Sequence, residues 1–454
     1  MVSVPGVCIA ATASGTGKTT IATGLMGALA RRMRVAPFKV GPDYIDPGYH
    51  GLAAQRVGRN LDSVMCSRER IGPLYAHGSA GCDIAVMEGV MGLFDGRITD
   101  SPDDAGAGST AEIAALLGMP VILVVDVRGM SQSAGAIVRG FATHHPEVRI
   151  AGAIINKAGT DRHAEVCRRA IENTGVPVVG IIPRIDKVEV PSRHLGLVTA
   201  AEQGGAAVDA VARMADMIES YVDIDAVLDL ATCHYDGPAW DPTAEVEPVA
   251  AAPRIALASG PVFSFAYAEH TELLGAAGAQ VVEFDPLHEE LPECEGLIIP
   301  GGFPEEHVEE LAARRSVTAA VQEHIAAGKP VHAECAGLLW LLKTLDAHPM
   351  VGAIGTHGAM GRRLKLGYRE AVALEPSVLY DAGQRVTGHE FHHTALAEET
   401  ATGFQPAWGW RGWDGAAVAE GFISDTIHAS YLHVHPASVP QSIAHFVRAA
   451  AAHR

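Results

Sequence analysis

Six short apolar runs rich in Val, Ile and Ala punctuate the first half of the chain: Val7 to Ala11, Val35 to Val40, Ile84 to Met87, Val121 to Val125, Ile150 to Ile155 and Val178 to Ile182. None shows the polar alternation of a strand with one wet face, so each reads as a strand buried on both sides. Stretches of helical character lie between them, among them Thr19 to Arg32, Thr110 to Leu117 and Asp161 to Asn173. Such alternation dictates a mainly parallel sheet covered by helices, an α/β fold. The pattern breaks over Thr232 to Pro253, where HYDGPAWDPTAEVEPVAAAP cannot sustain a helix or a central strand. A second alternation follows at Ile255 to Ala258, Gln280 to Phe284, Gly296 to Pro300, Pro330 to Ala333 and Thr426 to Val434. At 454 residues the chain exceeds the size at which one core stops growing. Two α/β domains are therefore expected, 1–233 and 253–454, joined by a linker at 234–252.

The first run leads into AATASGTGKTT and then a helix, the setting in which a P-loop aims backbone N–H groups at a polyphosphate. Gly15 and Gly17 allow close backbone approach, Thr16 and Thr20 flank the cradle, Lys18 can neutralise terminal phosphates, and the Thr19 hydroxyl can reach a magnesium ion. Thr12 stands where the consensus has its first glycine; the bland alternative is a glycine-rich turn with an incidental lysine.

Acids then recur at strand ends. FKVGPDYIDPGYH places Asp43 and Asp46 after one run, and VMEGVMGLFDG places Glu88 and Asp95 after another. Strand carboxyl ends face the crevice where α/β sheets bind ligands. Carboxylates there can hold magnesium, with Thr19, Asp43 and Glu88 as the expected ligands, and assist phosphoryl transfer by positioning and charge neutralisation. Asp43 and Asp46 could instead only cap turns. Asp126 reads equally as a helix cap or a catalytic acid, and Asn156, beside Lys157, as a nucleotide-base contact or a loop residue.

In the second half, PVHAECAGLLWLL carries Cys335 on a strand-to-helix turn, where a helix N-terminus would lower the thiol pKa. LIIPGGFPEE ends a strand in Gly301 and Gly302, whose N–H groups can approach an oxyanion. SYLHVH supplies His433 and His435, at a spacing that would put both on one side of a strand. Cysteine, paired glycines and a late histidine are the parts of acyl transfer. HEFHH, with His389, His392 and His393, lacks the HExxH spacing of a zinc site and is read as substrate-facing or structural.

Charge removes some functions. Against 34 Lys+Arg stand 53 Asp+Glu, a net −19, the wrong sign for holding nucleic acid. Seven cysteines without a CxxC pair fit a reducing compartment. No basic, hydrophobic leader or apolar span of membrane length is seen, so a soluble cytoplasmic protein is expected.

In order, SGTGKTT, FKVGPDYIDPGYH, VMEGVMGLFDG, IPGGFPEE, HAECAGL and SYLHVH make the chain resemble the cobyrinate and hydrogenobyrinate a,c-diamide synthases of cobalamin biosynthesis. The resemblance spans essentially the whole chain. It implies a dethiobiotin-synthetase-like ATP domain joined to a class I, triad-type glutamine amidotransferase domain. ATP and Mg2+ would phosphorylate the c- and then the a-acetate carboxylate of the corrinoid acid, and ammonia from L-glutamine would displace each phosphate. It assigns Cys335 as nucleophile, His433 as its base, and Gly302 with the Ala336 N–H as oxyanion hole. Asp43, Asp46, Glu88 and Asp95 would serve ATP, metal or the activated carboxylate. Tyr44 and Ile45 would lie against the substrate, and a homodimer is compatible with the family. Arg362, Arg363 and Lys365 could pair with ring carboxylates or simply be solvated. One departure stands out: the triad's usual glutamate, two residues beyond the histidine, is replaced by His435, which leaves the third role open.

Two other functions share parts of this sequence. A partner-switching ATPase of the MinD and ParA kind would use the P-loop, but position 13 is Ala rather than that group's signature lysine. An amidating ligase for another tetrapyrrole or carboxylate could share every motif, because fold does not select the substrate.

Overall fold

In the computed structural model the chain separates into two compact units, Met1–Trp240 and Asp241–Arg454. Residues 3–98, 106–185 and 204–454 are described, together with the backbone at Ser192–Arg193 and Gly196–Leu197.

The main sheet of the first unit has seven strands: β1 (Gly6–Ala11), β2 (Val35–Val40), β3 (Arg59–Leu61), β4 (Ile84–Glu88), β5 (Val121–Asp126), β6 (Ile150–Ala158) and β7 (Val178–Pro183). They lie in the order β3-β2-β4-β1-β5-β6-β7, every neighbouring pair parallel. All six residues of β1 and of β2 are buried, as expected for strands covered on both faces, although β2 carries Lys39 among its apolar residues. Helix α1 (Lys18–Ala30) follows β1, and α2 (Asp46–Ala54) follows β2. A methyl group at Gly24 in α1 would stand 2.6 Å from Met214 O in the helix Gly205–Tyr221, so this glycine lets the two helices cross closely. The paired residues Ser192–Arg193 and Gly196–Leu197 form β8 and β9.

The first residues of the expected linker pack onto the first unit. Trp240 is buried, its N–H donates to Pro73 O at 2.9 Å, and its ring meets His77 edge-on at 5.0 Å. Tyr235 packs over Gly72, where a Cβ would come within 2.2 Å of its ring. Beyond Trp240, Asp241 caps a short helix at Pro242–Glu245 through Thr243 N. The prolines in this segment thus punctuate two docked pieces.

The second unit begins with β10 (Arg254–Ala258), β11 (Gln280–Phe284), β12 (Gly296–Ile299) and β13 (Val331–Glu334). The chain then enters a second sheet through β14 (Leu342–Leu345), β15 (His348–Pro349), β16 (Ile354–Ala373), β17 (Arg385–Leu396), β18 (Trp408–Arg411) and β19 (Ala417–Glu420). It returns through β20 (Phe422–Ile423) and β21 (Ile427–Ser430), completing a first sheet ordered β11-β10-β12-β13-β21-β20. Within that sheet only β20 pairs antiparallel to its neighbour. Phe263, Trp340 and Phe422 are buried in the core beside it. Strand β21 ends at Ser430, short of the expected run to Val434, which corrects the placement of both late histidines on one strand face.

Candidate active sites

The parallel order β2-β4-β1 brings three carboxyl ends side by side, and the first site is built from the residues just beyond them. After β1 the loop turns through Gly15 and Gly17, at φ 75° and 93°, values that favour residues without a Cβ, and starts α1 at Lys18. Thr19 Oγ1 donates to Glu88 Oε1 at 2.7 Å and stands 3.4 Å from Asp46 Oδ2. Lys18 Nζ donates to Met91 O at 2.9 Å. Thr16 Oγ1 donates back to Ala13 O, and Thr20 lies in the first turn of α1.

Beneath this loop sits a cation that the motifs did not disclose. Lys39 Nζ, on β2, lies 2.6 Å from Asp46 Oδ2, 3.1 Å from Glu88 Oε1 and 3.9 Å from Asp43 Oδ2. His50 Nε2 meets the other Glu88 oxygen at 2.7 Å. Burial opposes the Lys39 charge, but Asp46, Glu88 and Asp43 outweigh it and hold the ammonium above its ordinary pKa. Burial, then Asp43 and Glu88, push Asp46 upward. Burial would raise Glu88 too, yet Lys39 and His50 hold it below the usual carboxylate range. Lys18 is pushed down, first by burial and then by Lys39. A lone lysine in an otherwise apolar buried strand was the available sequence signal for Lys39; His50, inside α2, offered none.

Other expected site residues take different positions. Asp43 Oδ1 accepts the N–H groups of Ile45 and Asp46 at 2.8 and 3.0 Å, so this acid caps the turn into α2. Asp95 Oδ2 accepts Gly92 N–H at 2.9 Å and pins the GLFDG turn. Asn156 commits both ends of its amide locally: Nδ2 donates to Thr16 O at 2.8 Å, and Oδ1 accepts Lys157 N–H. It thereby braces the phosphate loop. Asp126 pairs with Arg128 and Lys157, while the N-cap position of the next helix is held by Gln132, without a side-chain capping bond. Ile45 is buried and Tyr44 half-buried.

Thr19, Asp46 and Glu88 present oxygen donors around one point, a set that fits a hard divalent cation such as magnesium. Asp43 stands at the edge of this set, with Oδ1 committed to its turn and Oδ2 3.9 Å from Lys39 Nζ. Among the described residues no group of three His, Cys, Asp or Glu side chains could hold a metal alone. A magnesium ion there would need phosphate oxygens and water to complete its shell.

The second site repeats the device. Strands β12, β13 and β21 are adjacent and parallel, and Gly301–Gly302, Cys335 and His433 follow their carboxyl ends. Cys335 adopts φ 47° at the start of the helix Ala336–Leu341, and its N–H donates to Ser430 O at 2.7 Å. Left-handed backbone at a non-glycine residue is the strained elbow that exposes a nucleophile. Burial drives the thiol well above its ordinary pKa, and Glu305 adds to this against the Ala336 N–H. The expected lowering by a helix end is thus overturned: one six-residue helix cannot offset a dry site with carboxylates nearby.

A Cβ on Gly302 would fall 1.8 Å from Val262 O, and one on Gly301 2.4 Å from His433 Cε1, so neither position accepts a side chain without rearrangement. His433 is held by a reciprocal backbone pair with His389 at 2.8 and 2.9 Å. Its Nδ1 lies 3.4 Å from Glu334 Oε2. His435 turns elsewhere: Nδ1 accepts Ala437 N–H at 3.2 Å, and Nε2 lies 3.8 Å from Glu269. His392 stacks on Tyr431 at 3.7 Å and joins Thr394 O, His389 is buried beside Tyr368, and His393 is half-buried. Arg362, Arg363 and Lys365 are exposed where β16 bulges away from β17.

A phosphate loop over a buried acid cluster in one unit and an elbow cysteine in the other place the chain among glutamine-hydrolysing ligases. Residues 7–198 match the model of the CobQ/CobB/MinD/ParA nucleotide binding domain, and residues 254–440 that of the CobB/CobQ-like glutamine amidotransferase domain. The chain is 54% identical over 451 residues to the hydrogenobyrinate a,c-diamide synthase of Mycobacterium tuberculosis (strain ATCC 25618 / H37Rv), covering 99% of this chain and 98% of the relative. It is 50% identical over 483 residues to the protein of that name from Streptomyces coelicolor, covering 98% and 97%. With the cobyrinate a,c-diamide synthase of Picrophilus torridus it shares 38% over 451 residues, covering 98% of each. The chain belongs to the hydrogenobyrinate and cobyrinate a,c-diamide synthase family.

Proposed function

We propose that this protein amidates the a- and c-acetate carboxylates of hydrogenobyrinate, using ATP and glutamine, through acyl phosphate intermediates. The observation that carries this is full-length similarity, at 54% identity, to a relative named for that reaction, with both chemical centres in place. The preference for the cobalt-free ring rests on names: relatives at 54% and 50% identity are named hydrogenobyrinate a,c-diamide synthase, and cobyrinate-named ones stand at 38% and 40%.

Residues 1–233 are the ligase part in this proposal and 253–454 the glutaminase. The P-loop N–H groups and Lys18 hold the ATP phosphates. Thr19, Asp46 and Glu88 would hold magnesium, which neutralises phosphate charge when bound. Lys39 keeps Glu88 ionised and both buried acids in place. In the glutaminase, His433 takes the Cys335 proton as Sγ attacks the glutamine carboxamide carbon, and the oxyanion meets the N–H groups of Gly302 and Ala336. His433 returns the proton as the C–N bond breaks and ammonia leaves. Water, deprotonated by the same imidazole, then cleaves the thioester to glutamate and restores the thiol. Seven unpaired cysteines fit a cytoplasmic setting, and no described helix is long and apolar enough to cross a membrane.

The test is ATP-dependent amidation of both corrinoids, with glutamine or free ammonia, by wild type and Cys335→Ala. The variant should lose glutamine use and keep ammonia use. Equal loss of both, or no ATP-dependent product from either corrinoid, overturns the proposal.

A further inference from the structure

The position that usually supplies the triad's carboxylate holds His435, and that ring is occupied with Ala437 N–H, Glu269 and a tilted contact with the Tyr267 ring at 4.1 Å. A carboxylate nevertheless faces the base from another direction. Glu334, the last residue of β13, stands immediately before the nucleophile. Its Oε2 lies 3.4 Å from His433 Nδ1, and its Oε1 lies 3.3 Å from His332 Nε2. His332 sits two residues back on the same strand, hence on the same sheet face, and steadies the second oxygen. The positive φ at Cys335 redirects the chain at once, so consecutive side chains can serve the sulfur and the imidazole separately.

We propose that Glu334 is the positioning residue for His433, orienting its Nδ1–H and stabilising the imidazolium that forms when Cys335 gives up its proton. The inference rests on the glutaminase chemistry proposed above and supplies the member that the sequence leaves open. Burial alone would raise the Glu334 pKa, but the imidazoles of His332 and His433 beside it hold it well below the usual carboxylate range, so it stays charged at neutral pH. The other titratable groups that interact with it are Cys335 itself, His270 on the helix Ala268–Ala276, His428 on β21 and Tyr380 after β16. Burial favours the neutral form of His270, His428 and Tyr380, which leaves His332 and His433 as the polar partners at the carboxylate. With Nδ1 turned to Glu334, Nε2 is the nitrogen that exchanges the proton with sulfur.

The experiment uses the full chain with MgATP and hydrogenobyrinate, following glutamate release and diamide formation from glutamine and from ammonia. Glu334→Gln keeps the shape and removes the charge. Its kcat for glutamate release should fall on the order of 100-fold, with KM for glutamine nearly unchanged and ammonia-dependent amidation retained. Glu334→Asp should restore most of the lost kcat with the same KM for glutamine. A wild-type rate in Glu334→Gln would overturn the positioning role, as would equal loss of glutamine- and ammonia-dependent rates in both variants. Wild-type protein that forms diamide from ammonia but releases no glutamate overturns the glutaminase reading itself.

Discussion

Lys39 Nζ and Asp46 Oδ2 stand 2.6 Å apart, a buried ion pair that ties strand β2 to the first turn of α2. The same nitrogen reaches Glu88 at the end of β4, so one cation holds together two acids that also meet at Thr19. Removing one partner of a buried pair leaves an uncompensated charge. Lys39→Met should therefore lower unfolding free energy by about 3–5 kcal/mol, seen as an earlier urea midpoint in far-UV circular dichroism. It should abolish amidation with glutamine and ammonia alike.

A methyl group at Gly301 would stand 2.4 Å from His433 Cε1 and must displace the imidazole. Displacing a catalytic group by about 1 Å can cost about 100-fold in rate. Gly301→Ala is expected to cut glutamine-dependent amidation by about that factor while ammonia-dependent amidation continues, as parallel assays with the two nitrogen donors would show.

Four buried histidines make the second unit acid-sensitive. Burial lowers His270 and His324 to about 4, and His389 and His428 to about 3, from an ordinary value of 6.5. Folding thus favours their neutral forms, a stabilisation present in full above pH 6.5 and lost as pH falls through the folded values. Each costs about 1.4 kcal/mol by one unit below 6.5. The denaturation midpoint should fall steeply between pH 7.5 and 5.5. Trp340, Trp408, Trp410 and Trp413 belong to this unit and only Trp240 to the other, so fluorescence isolates its transition.

Chelating magnesium should stop amidation with either nitrogen donor, and excess magnesium should restore it. Thr19→Ala removes one oxygen from the proposed shell. A loss of about 1.4 kcal/mol corresponds to about tenfold in affinity, so the magnesium concentration for half-maximal rate should rise by about that factor in a titration at fixed ATP.

The parallel cores were legible because strands buried on both faces are dominated by apolar residues, as in β1 and over Val121 to Val125 of β5. The second sheet was not. Strand β16 runs for 20 residues through GRRLKLGY, where charge and exposed leucines hide its pairing with β17, and that pairing is set by distant sequence. The three-residue edge strand β3 is too short for periodicity to reveal. Motifs located the P-loop, Cys335 and the paired glycines, since each needs a particular residue type at a fixed spacing. They missed Lys39, His50 and Glu334, whose roles depend on which strand lies beside which. Asp43 and Asp95 were named for their acids, yet each carboxylate first answers its own backbone.

The buried, protonated state of Cys335 also governs what the sulfur does between turnovers. A thiol held in that form is a poor target for peroxide or stray electrophiles, which attack thiolates. Its chemistry is switched on only while a neighbouring imidazole can accept the proton, so the protein carries a nucleophile through the cell with its safety catch closed.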